Sequence, residues 1–172
     1  TSAKIKNLTQ FLSQTIDDFK TSSSSDKKLE DFNVYELLEH TYALIEQNYI
    51  NENIIFQLTT NCKDHSYKGY ERELGQVLLN ILNNAKDALV EKSIEHKRVW
   101  VKIEKVDGAL NIQISDNAGG IPDVIIEKIF EPYFTTKHES LGTGIGLYMS
   151  QKIIIDYFSG ELSVENSDLG AT

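Results

Sequence analysis

The chain has 172 residues, enough for one domain of ordinary size with an appendage and a substantial apolar core. Its formal charge of −9 argues against a surface for nucleic acid or for anionic membranes, because both are themselves negatively charged. A single cysteine, Cys62, excludes an internal disulfide and a cysteine-based zinc cluster. The apolar runs are too short to cross a membrane, so the sequence predicts a cytoplasmic fragment without membrane contact, whose parent protein could still be membrane-anchored.

Residues 1–20 predict a helix that packs against other helices. Ile5, Leu8, Leu12, Thr15 and Phe19 recur at alternating spacings of three and four, which is typical of a helical bundle. A surface helix of the main domain is the alternative. The polar stretch TSSSSDKK has nothing to bury, so residues 21–31 are interpreted as a linker and the main domain, 32–172, is expected to follow.

The main domain mixes helices and strands without a regular βαβ repeat. A helix is predicted in FNVYELLEHTYALIEQ with Asn33 as N-cap, a short strand in NIIFQLT, and a long amphipathic helix in ERELGQVLLNILNNAKDALVEK. The alternating runs RVWVKIEKV and ALNIQISDN are joined by Asp107-Gly108, a strong hairpin signal. A helix from Pro122 to Ile129, a helix in GLYMSQKIIIDY and a strand in GELSVEN follow. This pattern predicts an α/β fold with helices on one face of a sheet.

Two asparagines in the long helix are candidates for chemistry. Asn80 and Asn84 are four residues apart, so they share a face beside the apolar stripe, although asparagine is a mediocre helix former. Their amide oxygens could ligate a hard cation such as Mg²⁺. Two partly exposed amides that satisfy one another are the alternative.

Downstream motifs suggest a site for an anionic ligand. Asp116 ends an apolar strand before a glycine-containing turn, where its carboxylate could accept a hydrogen bond from an exocyclic amine; a plain turn is the alternative. Lys137 follows the aromatic segment FEPYF and enters the stretch HESLGTGIGLYM, which contains Gly142, Gly144 and Gly146. That stretch leads into an apolar helix, and a helix N-terminus favours an anion.

Four of these pieces resemble a known family when they are taken in order. QVLLNILNNAKDA, DNAGGI, FEPYFTTK and GTGIGL resemble the asparagine, first glycine, phenylalanine and second glycine boxes of bacterial sensor histidine kinases, within the ATPase superfamily of DNA gyrase, Hsp90 and MutL. The resemblance covers Phe32 to Thr172, and SQTIDDFK resembles the end of a kinase dimerisation domain. It implies a two-layer α/β sandwich of the Bergerat ATP-binding type, whose last apolar strand would follow Thr172.

The resemblance also implies roles at the metal and adenine. Asn84 would ligate the Mg²⁺ that bridges the phosphates, with Asn80 assisting directly or through water. Asp116 would accept the adenine amine. Gly120 would give the base room, and Thr172 would support it beside Asp116.

The lid of the resembled family would lie between the phenylalanine box and the following helix. Lys137 would reach the terminal phosphates. The residues expected to cradle the phosphates or hinge the lid are Gly142, Thr143, Gly144, Gly146 and Leu147. Two departures stand out: Ala118 replaces a glycine of the Asp-x-Gly-x-Gly pattern, and Asp87 stands where many relatives carry a basic residue near the phosphates.

The residue types favour phosphoryl transfer over rapid hydrolysis. Asn80 occupies the position where the gyrase branch has a glutamate, and an amide cannot activate water by taking its proton. The chain has four histidines, none in the context of a phosphoacceptor: His40, His65, His96 and His138.

The sequence thus predicts an ATP-binding kinase core that acts on a histidine outside this chain. The expected partners are the dimerisation-domain histidine helix, a response regulator receiver domain and a second copy in a homodimer. A Ser/Thr anti-sigma kinase of another branch and a non-catalytic interaction module remain the alternatives.

Overall fold

The computed structural model describes residues 28–137 and 143–172. The predicted N-terminal helix, most of the predicted linker, and His138 and Gly142 lie outside these residues. In chain order the described elements are β1 (Glu30–Asn33), α1 (Val34–Ala43), α2 (Glu46–Asn51), β2 (Ile55–Thr60), β3 (Ser66–Gly69), α3 (Glu71–Glu91), β4 (Arg98–Val106), β5 (Ala109–Asp116), α4 (Asp123–Ile126) and α5 (Gly146–Phe158).

The central sheet has the strand order β2-β4-β5. β2 pairs with β4 in parallel, and β4 pairs with β5 antiparallel from Val106 opposite Ala109 to Val99 opposite Asp116. The predicted hairpin is confirmed, with Asp107 at a φ of 51° and Gly108 at 84°, as a type I′ turn requires. β1 and β3 form a separate antiparallel pair.

The core lies between the sheet and the helices. The inward residues of β4, Val99, Val101 and Ile103, are fully buried, and they face the apolar stripe of α3, of which Leu82 and Leu89 are also fully buried. Each such side chain stabilises the fold by about 1.5–3 kcal/mol relative to exposure. This confirms the predicted α/β architecture and the long amphipathic helix.

The helix predicted in FNVYELLEHTYALIEQ is divided into α1 and α2. Asn33 is its N-cap, as predicted, and accepts hydrogen bonds from the backbone N–H groups of Tyr35 and Glu36. α1 ends at Ala43, Leu44 is exposed, and Ile45, which precedes α2, is buried. Tyr49 of α2 is fully buried, and its hydroxyl donates to the carbonyl of Leu82 at 2.8 Å, which ties α2 to α3.

Two predicted elements differ from the structure. The helix expected from Pro122 to Ile129 is α helical only over Asp123–Ile126, because the following hydrogen bonds, Lys128 to Ile125 and Glu131 to Lys128, close tighter turns.

GELSVEN is not a regular strand, because residues 161–164 have no ladder partner within the described part of the chain. Its end instead forms a short bridge, in which Glu165 and Thr172 exchange two backbone hydrogen bonds of 2.9 Å. Across residues 28–137 and 143–172, no helix combines the length and apolarity that a membrane crossing needs.

Candidate functional site

A cavity of about 930 Å³ lies between α3, β5 and α5. A space of this size matches the range of small-molecule and cofactor sites. Its lining brings together predicted site residues that are far apart in the sequence, namely Asn84, Asp116, Gly120, Leu147 and Thr172. The apolar side chains of Ile121, Ile129 and Phe130 line it as well.

Asp116 is a buried carboxyl at the end of β5. One oxygen, Oδ1, accepts hydrogen bonds from the backbone N–H groups of Ala118 at 2.8 Å and Ala171 at 3.4 Å. Burial raises the pKa of Asp116, an effect that these N–H groups and the charge of Lys92 partly oppose. The other oxygen, Oδ2, has no hydrogen-bond partner within the described residues, so it is available to accept from a ligand.

Two residues that the sequence motifs did not identify, Asn166 and Lys92, make hydrogen bonds to the turn after Asp116. Gly119 and Gly120 have positive φ angles of 79° and 77°, a conformation that favours glycine. Asn166 accepts from the N–H of Ile121 at 2.8 Å and donates to its carbonyl at 2.7 Å. Lys92 donates to the carbonyl of Gly120 at 2.6 Å. The paired contacts of Asn166 define one conformation of this turn.

The end of the described chain packs directly against Asp116. A Cβ atom on Gly170 would lie 2.6 Å from Asp116 Oδ1, so glycine is required for this approach. The backbone carbonyl of Ala171 accepts from the Asp116 N–H at 3.0 Å. Thr172, the predicted support for the base, directs its hydroxyl to Ser115 Oγ at 3.0 Å. Contact with Asp116 therefore comes from the backbone around Gly170 and Ala171.

Asn80 joins α3 to the start of α5. Its amide donates to the buried Ser150 Oγ at 2.9 Å, and a Cβ on Gly146 would clash with its Oδ1. The glycine at 146 is thus explained by the close approach of the two helices. Ser150 is another residue that the sequence motifs did not single out, because a serine within an apolar helix carries no distinctive spacing.

Asn84 and Asp87, three residues apart on α3, both contact the ammonium group of Lys137. Lys137 Nζ donates to Asn84 Oδ1 at 3.2 Å and to Asp87 Oδ2 at 2.7 Å. Lys86 Nζ lies 2.8 Å from Asp87 Oδ1. Burial raises the pKa of Asp87, but the hydrogen bonds and charges of the two lysines outweigh it and hold the pKa below its ordinary value.

Of the predicted residues before and at the start of α5 that the structure describes, Leu147 lines the cavity, whereas Thr143, Gly144 and Gly146 do not. Thr143 Oγ1 accepts from the N–H of Ile145 at 3.4 Å. Gly144 has a φ of 66°, and a Cβ there would lie 2.6 Å from the carbonyl oxygen of Tyr133. α5 begins at Gly146 without a side-chain cap, so its first N–H groups can meet an anion.

The donors present fit a Mg²⁺ ion that arrives with phosphates. The oxygens of Asn84 and Asp87 are hard ligands, and the ammonium of Lys137 shows that both can face one cation. The described residues contain no group of three or more His, Cys, Asp or Glu side chains that could hold a metal by themselves. Waters or ligand phosphates would therefore complete the coordination.

The comparison with protein families decides the identity of the fold. The model described as histidine kinase-, DNA gyrase B-, and HSP90-like ATPase matches residues 69–172. The chain belongs to this ATPase family. The predicted resemblance and the ATP-binding kinase fold are thereby confirmed.

Relatives place the chain among the sensor histidine kinases of this family. It is 32% identical over 145 residues to the two-component sensor PprA of Pseudomonas aeruginosa, covering 81% of this chain and 15% of PprA. It is 33% identical over 123 residues to sporulation kinase A of Bacillus subtilis, covering 71% of this chain and 19% of that kinase. The chain therefore spans less than a fifth of the length of these relatives.

Solved structures of the histidine kinase ThkA agree with the fold. Its nucleotide-free catalytic domain matches with a TM-score of 0.74 and 31% identity, covering 84% of this chain and 91% of that domain. A complex of ThkA with the response regulator protein TrrA matches with a TM-score of 0.73 and 27% identity, covering 97% of this chain and 47% of the matched chain. The fold of the chain is that of a histidine kinase catalytic domain, and ATP is the ligand of this ATPase family.

Proposed function

We propose that the chain binds Mg-ATP in the cavity at Asp116 and positions its terminal phosphoryl group for transfer to a histidine of a dimerisation domain. The observation that carries this proposal is the buried Asp116 carboxyl, which has one oxygen fixed by backbone N–H groups and the other without a partner. No buried side-chain oxygen or nitrogen of the described residues lacks a hydrogen-bond partner, so the unpartnered Oδ2 reaches the open space of the cavity, where it can accept from a ligand. The exocyclic amine of adenine is a suitable donor.

The adenine would lie against Asp116, with room provided at Gly120. Asn166 supports this role, because its two hydrogen bonds to Ile121 hold the turn. Thr172 would contribute through its hydrogen bond to Ser115 at the adjoining position of β5. Ile121 and Phe130 supply apolar surface for the base.

The phosphates would lie toward Asn84 and the start of α5. Asn84 would ligate Mg²⁺, and Asn80, whose amide also donates to Ser150 of α5, would assist at the metal directly or through water. Lys137 would contact the terminal phosphates. The backbone groups expected to surround the phosphates are those of Gly142, Thr143, Gly144, Gly146 and Leu147, of which Gly142 lies outside the described residues.

When bound, Mg²⁺ neutralises phosphate charge and fixes the orientation of the terminal phosphoryl group. The protein supplies positioning. Asn80, as an amide, takes no proton from water at neutral pH, so slow hydrolysis is expected. The described histidines, His40, His65 and His96, do not line the cavity, which supports an acceptor on another segment.

The partners follow from the same assignment. A dimerisation-domain histidine would receive the phosphoryl group and pass it to a response regulator receiver domain, as the ThkA–TrrA complex suggests by analogy. We expect residues 1–20 to belong to that dimerisation domain, residues 21–31 to form a linker, and the full-length protein to be a homodimer with this domain in the cytoplasm.

Amide chemical-shift mapping with a non-hydrolysable ATP analogue and Mg²⁺ tests the location of the site. The expected shifts cluster at residues 116–121, 170–172, 143–147 and around Asn84, with none at α2 and β2, which do not line the cavity. Shifts confined to α2 and β2 would refute the assignment. In the full-length protein, transfer should give an acid-labile phosphohistidine that an Asp116→Asn variant does not form; an acid-stable phosphate on serine or threonine would favour the other kinase branch.

A further inference from the structure

Asp87 follows Asn84, a residue of the cavity lining, on α3, and the proposed function gives it no role. Its carboxylate and the Asn84 amide lie three residues apart on α3, which places them on neighbouring positions of one helix face. Lys137 Nζ contacts both, at 2.7 Å from Asp87 Oδ2 and 3.2 Å from Asn84 Oδ1. The side chains of Lys137 and Asp87 are only 26% and 36% exposed.

The ammonium of Lys137 contacts one oxygen of Asn84 and one of Asp87, so both oxygens already face a single cation. Ordering a lysine side chain has an entropic cost, so its fixed contact requires compensating attraction from both oxygens. A carboxylate and an amide oxygen are also the ligands that Mg²⁺ takes in proteins. Lys137 and a divalent cation cannot share the same pair of oxygens, because the two positive charges repel each other.

We infer that Asn84 and Asp87 form a cation site that Lys137 fills before nucleotide arrives and that Mg²⁺ takes over as Lys137 moves to the phosphates. Asn84 ligates the metal directly, and Asp87 interacts through its water shell, since Mg²⁺ usually keeps several waters. This inference rests on the proposed function for the arrival of the phosphates. It makes Asp87 a metal-positioning residue.

The exchange leaves both Asp87 and Lys137 with an opposite charge beside them before and after nucleotide binds. Before nucleotide binds, Lys137 compensates Asp87, so the site carries no unpaired buried charge. After exchange, the metal compensates Asp87 and the lysine compensates phosphate. Lys86 remains on the other carboxylate oxygen, at 2.8 Å, and does not block Oδ2. An acidic residue at position 87 is thus compatible with this site, because Lys137, from the segment before the lid, compensates its charge until nucleotide binds.

Mn²⁺ binding in the absence of nucleotide tests the exchange directly, with the free ion counted by electron paramagnetic resonance. Lys137→Gln removes the competing ammonium and should tighten Mn²⁺ binding about fivefold, as expected for a partly exposed ion pair. Adding Asp87→Asn to that variant should abolish the gain. Lys68→Gln, with the same charge change at an exposed position of β3, should leave binding unchanged.

An unchanged Mn²⁺ affinity in Lys137→Gln, or a gain that persists after Asp87→Asn, would overturn the inference and leave the contact as a simple ion pair. A gain of equal size in Lys68→Gln would overturn it too, because net charge alone would then explain the effect. Thermal unfolding of each variant verifies that it is folded. Because nucleotide is absent, failure here is distinct from failure of the proposed function, which nucleotide binding by the wild-type chain reports.

Discussion

Replacing Asn166 with alanine tests how the turn beside the adenine position is held. The wild-type side chain accepts from the Ile121 N–H at 2.8 Å and donates to the Ile121 carbonyl at 2.7 Å. It also packs over Gly120, where a Cβ would lie 2.6 Å from Asn166 Oδ1. Alanine removes both hydrogen bonds and this cover, so the turn can leave the conformation that the ligand needs.

The magnitude follows from the two hydrogen bonds. Each contributes about 0.5–1.5 kcal/mol net, with the lower part of that range expected because Asn166 is exposed. A combined loss of about 1.4 kcal/mol corresponds to a tenfold decrease in the ratio of the binding-competent turn to its other conformations, so nucleotide affinity falls by up to about tenfold. The isosteric Asn166→Asp should also weaken binding, because it places an oxygen where the amide donated to the Ile121 carbonyl.

Calorimetric titration with an ATP analogue and urea unfolding measure the two effects on the same proteins. Asn33→Ala is the matched control, since the Asn33 side chain likewise makes two hydrogen bonds to the backbone, both accepted from N–H groups at the start of α1. It should lose about 1 kcal/mol of stability with unchanged affinity. If Asn166→Ala loses stability to the same extent and keeps wild-type affinity, Asn166 has only a structural role and the reasoning is wrong.

Three further results are expected. Asp116→Asn should gain stability relative to wild type as the pH rises from about 3 to about 7, because the raised pKa of the buried carboxyl means that its ionisation costs folding free energy; urea unfolding across pH measures this, and a constant difference would contradict it. Gly144→Ala should weaken nucleotide binding at least about tenfold, since its Cβ would meet the Tyr133 carbonyl and its φ is positive; wild-type affinity would refute this. Tyr49→Phe should lose about 1 kcal/mol of unfolding free energy through the bond to Leu82, and no change would show that the bond contributes nothing.

The elements that sequence analysis predicted are those with local signals. The stripe on α3 repeats over several turns, and the Asp107-Gly108 turn determines its hairpin through two positive φ angles. Such features depend on neighbouring residues only. They are therefore visible without knowledge of the tertiary structure.

The missed and shortened elements depend on distant partners. β1 and β3 have four residues each and pair with one another across 33 or more positions of sequence, so neither carries an alternating pattern long enough to detect. GELSVEN has strand-like alternation, but a strand requires a ladder partner, which its first residues lack within the described ranges. Alternation alone could not supply that information.

The site residues likewise divide into those with a local sequence motif and those that depend on distant partners. Asn84, Asp116 and Gly120 were identified by motif, and they line one cavity. Asn166, Gly170 and Lys92 were missed, because each acts on the backbone of a residue far away in sequence. A signal for Gly170 existed in its position just before Ala171-Thr172, but only the structure shows that a side chain there would strike Asp116.

Calorimetric titration of the wild-type chain with a non-hydrolysable ATP analogue, with and without Mg²⁺ and beside Asp116→Asn, shows whether the Asp116 cavity binds Mg-ATP. We expect binding that Mg²⁺ strengthens and that the variant loses, although the variant remains folded. Undiminished binding by a folded Asp116→Asn variant would contradict this expectation.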